Sequence, residues 1–218
     1  MANISAPYGF RQFRRMDGGA PTAGFDTLTI MSSDTSVIFT GDPVADLTGP
    51  ATGAAGFADY VTGTTAGGAQ VRGIFMGCEY YNNAVNRKVW SPYFPGSVAT
   101  SCGTNDVTAW VCTDPEMTWT VQVGGTSTGP GVILLSSQTG LNIGFSSATQ
   151  GSGNVTTGIS AVTLNSTSIA TTNTLPFRFL DFYSNYAPPG SNGTDNTSVG
   201  QIVIVTANNW DRLQLTGV

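Results

Sequence analysis

Asp114 and Glu116 stand two residues apart between two tryptophans, Trp110 and Trp119, in the stretch VTAWVCTDPEMTWTVQV that runs from Val107 to Val123. Paired carboxylates among aromatics are the equipment of a glycosidase, one serving as acid, the other as base or nucleophile, with the rings stacking on sugar. The plainer reading of the same letters is a turn aspartate before Pro115 and a solvated glutamate. Cys112 is a nucleophile by type, but the chain holds no histidine to activate it, and core packing is the better reading. Lack of histidine also removes the usual general base, zinc ligand and pH switch. Asp42 with Asp46, or Asn192 with Asp195 and Asn196, offer oxygens for a weakly held cation, without the spacing of an EF-hand. The glycine-rich Gly124–Gly131 lacks the lysine and the following helix of a phosphate cradle. These residues predict no catalytic centre, no metal site and no cofactor, and the chain reads as something other than an enzyme.

The elements that must carry these residues are strands. In Met117–Val123, Met117, Trp119, Val121 and Val123 alternate with Thr118, Thr120 and Gln122, the period of a half-buried strand. Val107–Cys112 has apolar residues on both sides, which predicts a strand covered on both faces, and Asp114-Pro115 breaks the ladder between the two runs. Together they read as a central pair of strands. Further strand signals lie at Phe25–Ile30, Ser36–Thr40, Val71–Tyr81, Leu141–Phe145, Ile159–Thr163, Leu175–Tyr183 and the almost wholly apolar Gln201–Thr206. Gly73 and Gly77 mark bulges or close approaches in one of them. Val89–Gly96, with two prolines, belongs at an edge or in a loop, while Val132–Leu135 is a buried strand or the start of a short helix. Asp46–Ala69 and Tyr186–Ser198 read as long loops. Charged residues are only 10% of the chain, with one lysine and two glutamates, so there is little from which to build helices. The expectation is an all-β antiparallel sandwich or barrel, jelly-roll-like, with Gly/Thr/Ser-rich loops: one β domain over residues 25–218 behind an extended N-terminal arm, residues 1–24.

That arm carries Tyr8, Phe10, Arg11, Phe13, Arg14 and Arg15, aromatics for buried area and arginines for directional hydrogen bonds, the mixture enriched at protein interfaces. It reads as docking on another protein or on a sister subunit; the alternative is that Tyr8 and Phe10 tuck back onto the chain's own core. A net charge of −5 argues against a nucleic-acid partner. No apolar run reaches membrane-spanning length, and no secretory h-region is present. Cys78, Cys102 and Cys112, odd in number and without CxxC spacing, read as free buried thiols. Exposed aromatics for a sugar platform would be Trp90, Tyr93 and Phe94, or Tyr183 and Tyr186.

APYGFRQFRRMDGG near the start, GDPV after the first strands, GIFMGCEYYNNAVNRKVWSPYFPGS, the central VTAWVCTDPEMTWTVQV and the late GQIVIVTANNWDRL together resemble the head decoration, or cement, proteins of tailed bacteriophages. The resemblance runs with gaps over most of the chain and rests on structural motifs rather than catalytic ones. It implies a virion protein, made in the bacterial host cytoplasm, that sits on the capsid exterior as a dimer or trimer. There it would bridge neighbouring major capsid protein subunits and stabilise the shell, with the arm residues as anchors. The other reading is a carbohydrate-binding adhesin or fibre-like β module of a virion.

Overall fold

The structure, a computed structural model, describes residues 3–21, 24–31, 34, 36–46, 58–60, 70–96, 107–124, 131–146, 151–183 and 195–213. Alternating β-branched and aromatic residues produce strands throughout. In chain order these are β1 (Arg11–Arg15), β2 (Asp26–Ile30), β3 (Ile38–Phe39), β4 (Pro43–Asp46), β5 (Ala58–Tyr60), β6 (Gly73–Asn82), β7 (Arg87–Ser91) and β8 (Tyr93–Phe94). They continue with β9 (Val107–Cys112), β10 (Met117–Gly124), β11 (Asn142–Phe145), β12 (Gly153–Asn154), β13 (Ile159–Ser160), β14 (Leu164–Ala170), β15 (Phe177–Phe182) and β16 (Ile202–Ala207). Among the described residues the helical turns are two short 3-10 segments, Ser136–Gln138 and Asp211–Leu213.

Two assemblies result. In the first, β10, β14, β11, β15 and β16 pair in that order and β16 returns to β10, closing a barrel. Closure removes the free edges that an open sheet would expose. The second is a curled sheet, β2-β9-β6-β4-β5, with β7 on β6. Each has its own apolar core. Trp119, Val121, Ile143, Phe177, Phe179, Val203 and Val205 fill the barrel, and Leu28, Ile30, Val44, Phe75, Cys78 and Val111 fill the curled sheet. β6 joins the two, because Ile74 faces the barrel core while Phe75 and Cys78 face the other.

The all-β expectation holds, in the form of a closed barrel beside a curled sheet, and the strands paired among the described residues run antiparallel except for β10 with β14, which are parallel. Several finer expectations are corrected. β9 and β10 are not a pair: β9 runs between β2 and β6, whereas β10 belongs to the barrel. The turn between them is closed by Met117 N–H donating to Asp114 O at 3.2 Å, and Pro115 carries the chain from one sheet to the other. Only Cys112 of β9 reaches the barrel core; Trp110, on the same side, is half-buried. Thr118, Thr120 and Gln122 are buried like the apolar residues between them, because the N-terminal segment lies against them. Thr118 Oγ1 donates to Arg14 O at 2.6 Å, and Gln122 Nε2 donates to Ile4 O at 2.8 Å. In β15 the alternation of Phe177 and Phe179 does not continue to Asp181. A bulge between Phe179 and Asp181 turns Asp181 outward and brings Phe182 back against Phe179. Val132–Leu135 is neither strand nor helix; it runs extended with only Leu134 buried, into the 3-10 turn at Ser136. Most of the predicted loops, Asp46–Ala69 and Tyr186–Ser198, lies outside the described residues, although β5 falls within the first of them.

The N-terminal segment does not stand apart from the sheet. β1 pairs antiparallel with β10 along Met117–Thr120, and β14 continues on the same edge at Val123 and Gly124. Just before β1, Phe10 N–H donates to Gly41 O at 2.9 Å. Gly9 has φ +69°, and a Cβ there would sit 2.7 Å from Ser160 Cβ. Gly9→Ala is therefore expected to lower stability by about 2 kcal/mol or more, from left-handed strain together with the clash. A chemical-denaturation midpoint equal to that of the native chain would contradict this packing.

Candidate functional site

A bulge organises the face built by β1. Arg11 lies opposite Thr120 and Gln12 opposite Trp119, but the next pair is Arg14 with Thr118, so Phe13 is the extra residue. In an unbroken strand, residues three apart point to opposite faces. The bulge instead places Arg11 and Arg14 beside Thr120 and Thr118, two positions on one face of β10. Both arginines are exposed and neither makes an ion pair among the described residues. Each is ordered by an aromatic ring. The Arg11 guanidinium lies 5.2 Å from the Tyr8 ring centre and that of Arg14 5.3 Å from Phe13, within cation–π range. Phe13 in turn meets Tyr183 edge-on, with ring centres 5.7 Å apart. Burial raises the Tyr8 phenol pKa, against a hydrogen bond to the Thr120 side chain and the charge of Arg11.

The row continues around the barrel. Thr118 pairs with Thr206 of β16, and Thr206 with Arg178 of β15, so Arg178 shares the face of Arg14 two strands beyond β10. It is exposed as well. Sequence reasoning did not include Arg178 in the site; its alternation with Phe177 and Phe179 was the signal available. Beside Arg11 a cleft of ≈ 280 Å³ opens, lined by Tyr8, Phe10, Arg11, Gln12, Thr40, Met76 and Ile159.

The six residues named from the sequence separate into three roles. Tyr8, Arg11, Phe13 and Arg14 form the outward arginine–aromatic surface. Phe10 does not belong to it: the side chain is 2% exposed and stacks on Phe177 at 4.3 Å. For Phe10 the tucked-in alternative is the correct one, because a phenyl ring gains most by leaving water for the barrel core. Arg15 is turned toward the β9–β10 turn, where it pairs with Asp114 at 2.7 Å, with Glu116, and with Asp17 at 3.6 Å. Asp114 is the chief cause of its raised pKa. The carboxylate pair offered for glycoside hydrolysis is thus clasped by Arg15, while Trp119 lies fully buried in the barrel.

Other candidate groups have structural partners. Cys78 and Cys112 are buried free thiols, and burial pushes the Cys112 thiol up, away from thiolate chemistry. Cys102 lies outside the described residues. The Asp195 carboxylate accepts bonds from Thr197 N, Thr197 Oγ1 and Ser198 Oγ, which hold it at about 2. Asn192 and the Asp46 side chain lie outside the described residues, and no group of three or more Cys, Asp or Glu able to hold a metal ion occurs among those described. Of the aromatics considered for sugar, Phe94 is core and Tyr93 stacks on Phe39, with Tyr186 outside the described residues. No described helix is long and apolar enough to cross a membrane. Comparison with known proteins finds no matching family model, no matching curated protein and no matching solved structure.

Proposed function

We propose that this chain is a structural virion protein that binds the outer surface of a tailed-phage head and bridges major capsid protein subunits. The observation that carries the reading is the Phe13 bulge, which aligns Arg11 and Arg14 on one exposed face, each braced by a ring. Three of the eight basic residues of an acidic chain, Arg11, Arg14 and Arg178, are gathered on that face. Such a surface recognises acidic protein through bidentate arginine contacts, with aromatic area beside them. Repetition over a shell multiplies modest contacts by avidity. No chemistry is assigned to the site; its work is adhesion, and a homodimer or trimer would present several copies at once.

Co-sedimentation with mature phage shells stripped of accessory proteins tests the reading. The native chain should bind saturably at a fixed ratio to the major capsid protein. Arg11→Glu with Arg14→Glu should weaken binding at least tenfold, about 1.4 kcal/mol, while the chain stays folded, its melting temperature lowered only by the loss of two exposed cation–π contacts of about 0.5–1 kcal/mol each. Equal binding by the double variant would remove this face from the function, and failure of the native chain to bind any shell would overturn the reading itself.

A further inference from the structure

The outer face of the curled sheet carries a second, unrelated surface. Its inward residues Leu28, Ala109, Val111 and Cys78 are core, so their neighbours in the strands point outward. Trp90 of β7 is 63% exposed, one of the most exposed large apolar side chains described. Trp110 of β9 is half-buried on the same face, with the two indole centres 6.5 Å apart and the rings tilted 39°. These residues are twenty positions apart in sequence and come together because β6 runs between their strands. Glu79 of β6 lies opposite Trp90 on one side and Thr108 on the other, and Gly77 lies opposite Trp110. Gly77 has φ +142° at a bulge, and a Cβ there would lie 3.6 Å from Trp90 Cζ2. The positive φ at the bulge is what calls for glycine, and the Trp90 indole lies in ordinary packing distance over it.

We infer that the Trp90–Trp110 surface is a binding platform for a neutral saccharide chain. The occupant follows from what surrounds the rings. Glu79 and Lys88 pair with each other at 3.0 Å, so the platform presents no net charge to attract an ionic ligand. Thr108, Glu79 and Lys88 are hydrogen-bonding groups that a purely apolar partner would cover without replacing their bonds to water, at a penalty. A pyranose offers what both kinds of group require: a C–H face to lie on an indole and an equator of hydroxyls for the groups at its rim. The tilt between two adjacent rings suits consecutive units of a chain better than a single flat molecule. This surface lies on a different sheet from Arg11 and Arg14, so the inference stands independently of shell binding.

The test uses the full chain on an array of neutral oligosaccharides, followed by titration of the best-retained neutral hexasaccharide against tryptophan fluorescence. Trp119 and Trp210 are fully buried, so a ligand-dependent change among the described tryptophans arises from Trp90 and Trp110. Saturable binding is expected, reduced about tenfold or more by Trp90→Ala. Trp110→Phe, which keeps a ring in the half-buried position, should weaken it less, and shell co-sedimentation of both variants should stay native. The inference is overturned if no neutral glycan binds saturably. Undiminished affinity in Trp90→Ala would also overturn it, as would retention of sulfated glycans or apolar peptides alone.

Discussion

Phe10→Ala should destabilise the chain by about 3–5 kcal/mol, the range for removing a phenyl ring from a packed core. Phe10 is stacked on Phe177, which also meets Phe145 and Trp210 edge-on at 6.3 and 6.1 Å. Deleting the ring leaves a cavity against Phe177, itself packed between Phe145 and Trp210 in the barrel core, where collapse is limited. A loss of this size is comparable with the whole stability of many domains. Its measure is the shift in urea midpoint at constant m-value; Phe10→Leu, which refills most of the volume, should recover the larger part. A Phe10→Ala midpoint within error of the native one would show that the ring is not part of the core. The same packing bears on how the docking face is probed. Removing residues 1–17 would strip Phe10 and β1 from the barrel together with Arg11 and Arg14, so a truncated chain that fails to bind shells has lost its fold and its contacts at once. Point substitutions at the exposed arginines separate the two.

Asp42 should make the chain lose stability as pH rises from about 4 to about 8, and Asp42→Asn should abolish that component. The carboxylate is fully buried, accepting from Phe39 N–H at 2.7 Å and from Ser160 Oγ at 2.5 Å. It joins the β3–β4 turn to β13, beside the Gly9–Phe10 contact. Burial raises its pKa from 3.8 to about 7, with the two hydrogen bonds opposing the rise. Because the folded chain holds this proton more tightly than the unfolded one, the stabilisation is complete below the unfolded value and is lost as pH passes the folded one. A rise of this size corresponds to roughly 4 kcal/mol between the two limits. Asparagine keeps an acceptor for Phe39 N–H and can donate to the Ser160 hydroxyl, whose oxygen has two acceptor sites. Asp42→Asn should therefore be more stable than the native chain at pH 8 and similar at pH 4. Asp26 has the opposite sign: its pKa is lowered, first by the Thr113 hydroxyl, and its share of stability fades only below the ordinary carboxylate range. Thermal melts of both chains from pH 4 to pH 8 decide the matter, and parallel curves would exclude Asp42 as the source.

Period-two alternation in Met117–Val123 and in Phe177–Phe179 is enforced within a few residues by the pleat of an extended backbone, so strand identity and inward residues such as Trp119 and Phe179 were legible locally. β14 was not: its sequence LNSTSIA is polar and became a strand because β10 and β11 offered their edges to it. The half-buried arm was legible as aromatic and basic, yet Tyr8 and Phe10 read alike, as docking or tucked-in residues, until the barrel buried Phe10 alone. Asp42 read as one oxygen of a weakly held cation site, whereas its environment comes from Phe39 and from Ser160, more than a hundred positions away. By itself, then, the amino-acid order determined an all-β chain, its acidic and histidine-free chemistry and the basic cluster near its start. Only the tertiary structure decided that β9 and β10 part company, that Arg11, Arg14 and Arg178 share a face, and that Trp90 meets Trp110. Those outcomes depend on register and bulges between distant strands, where a shift of one residue exchanges the two faces of a sheet.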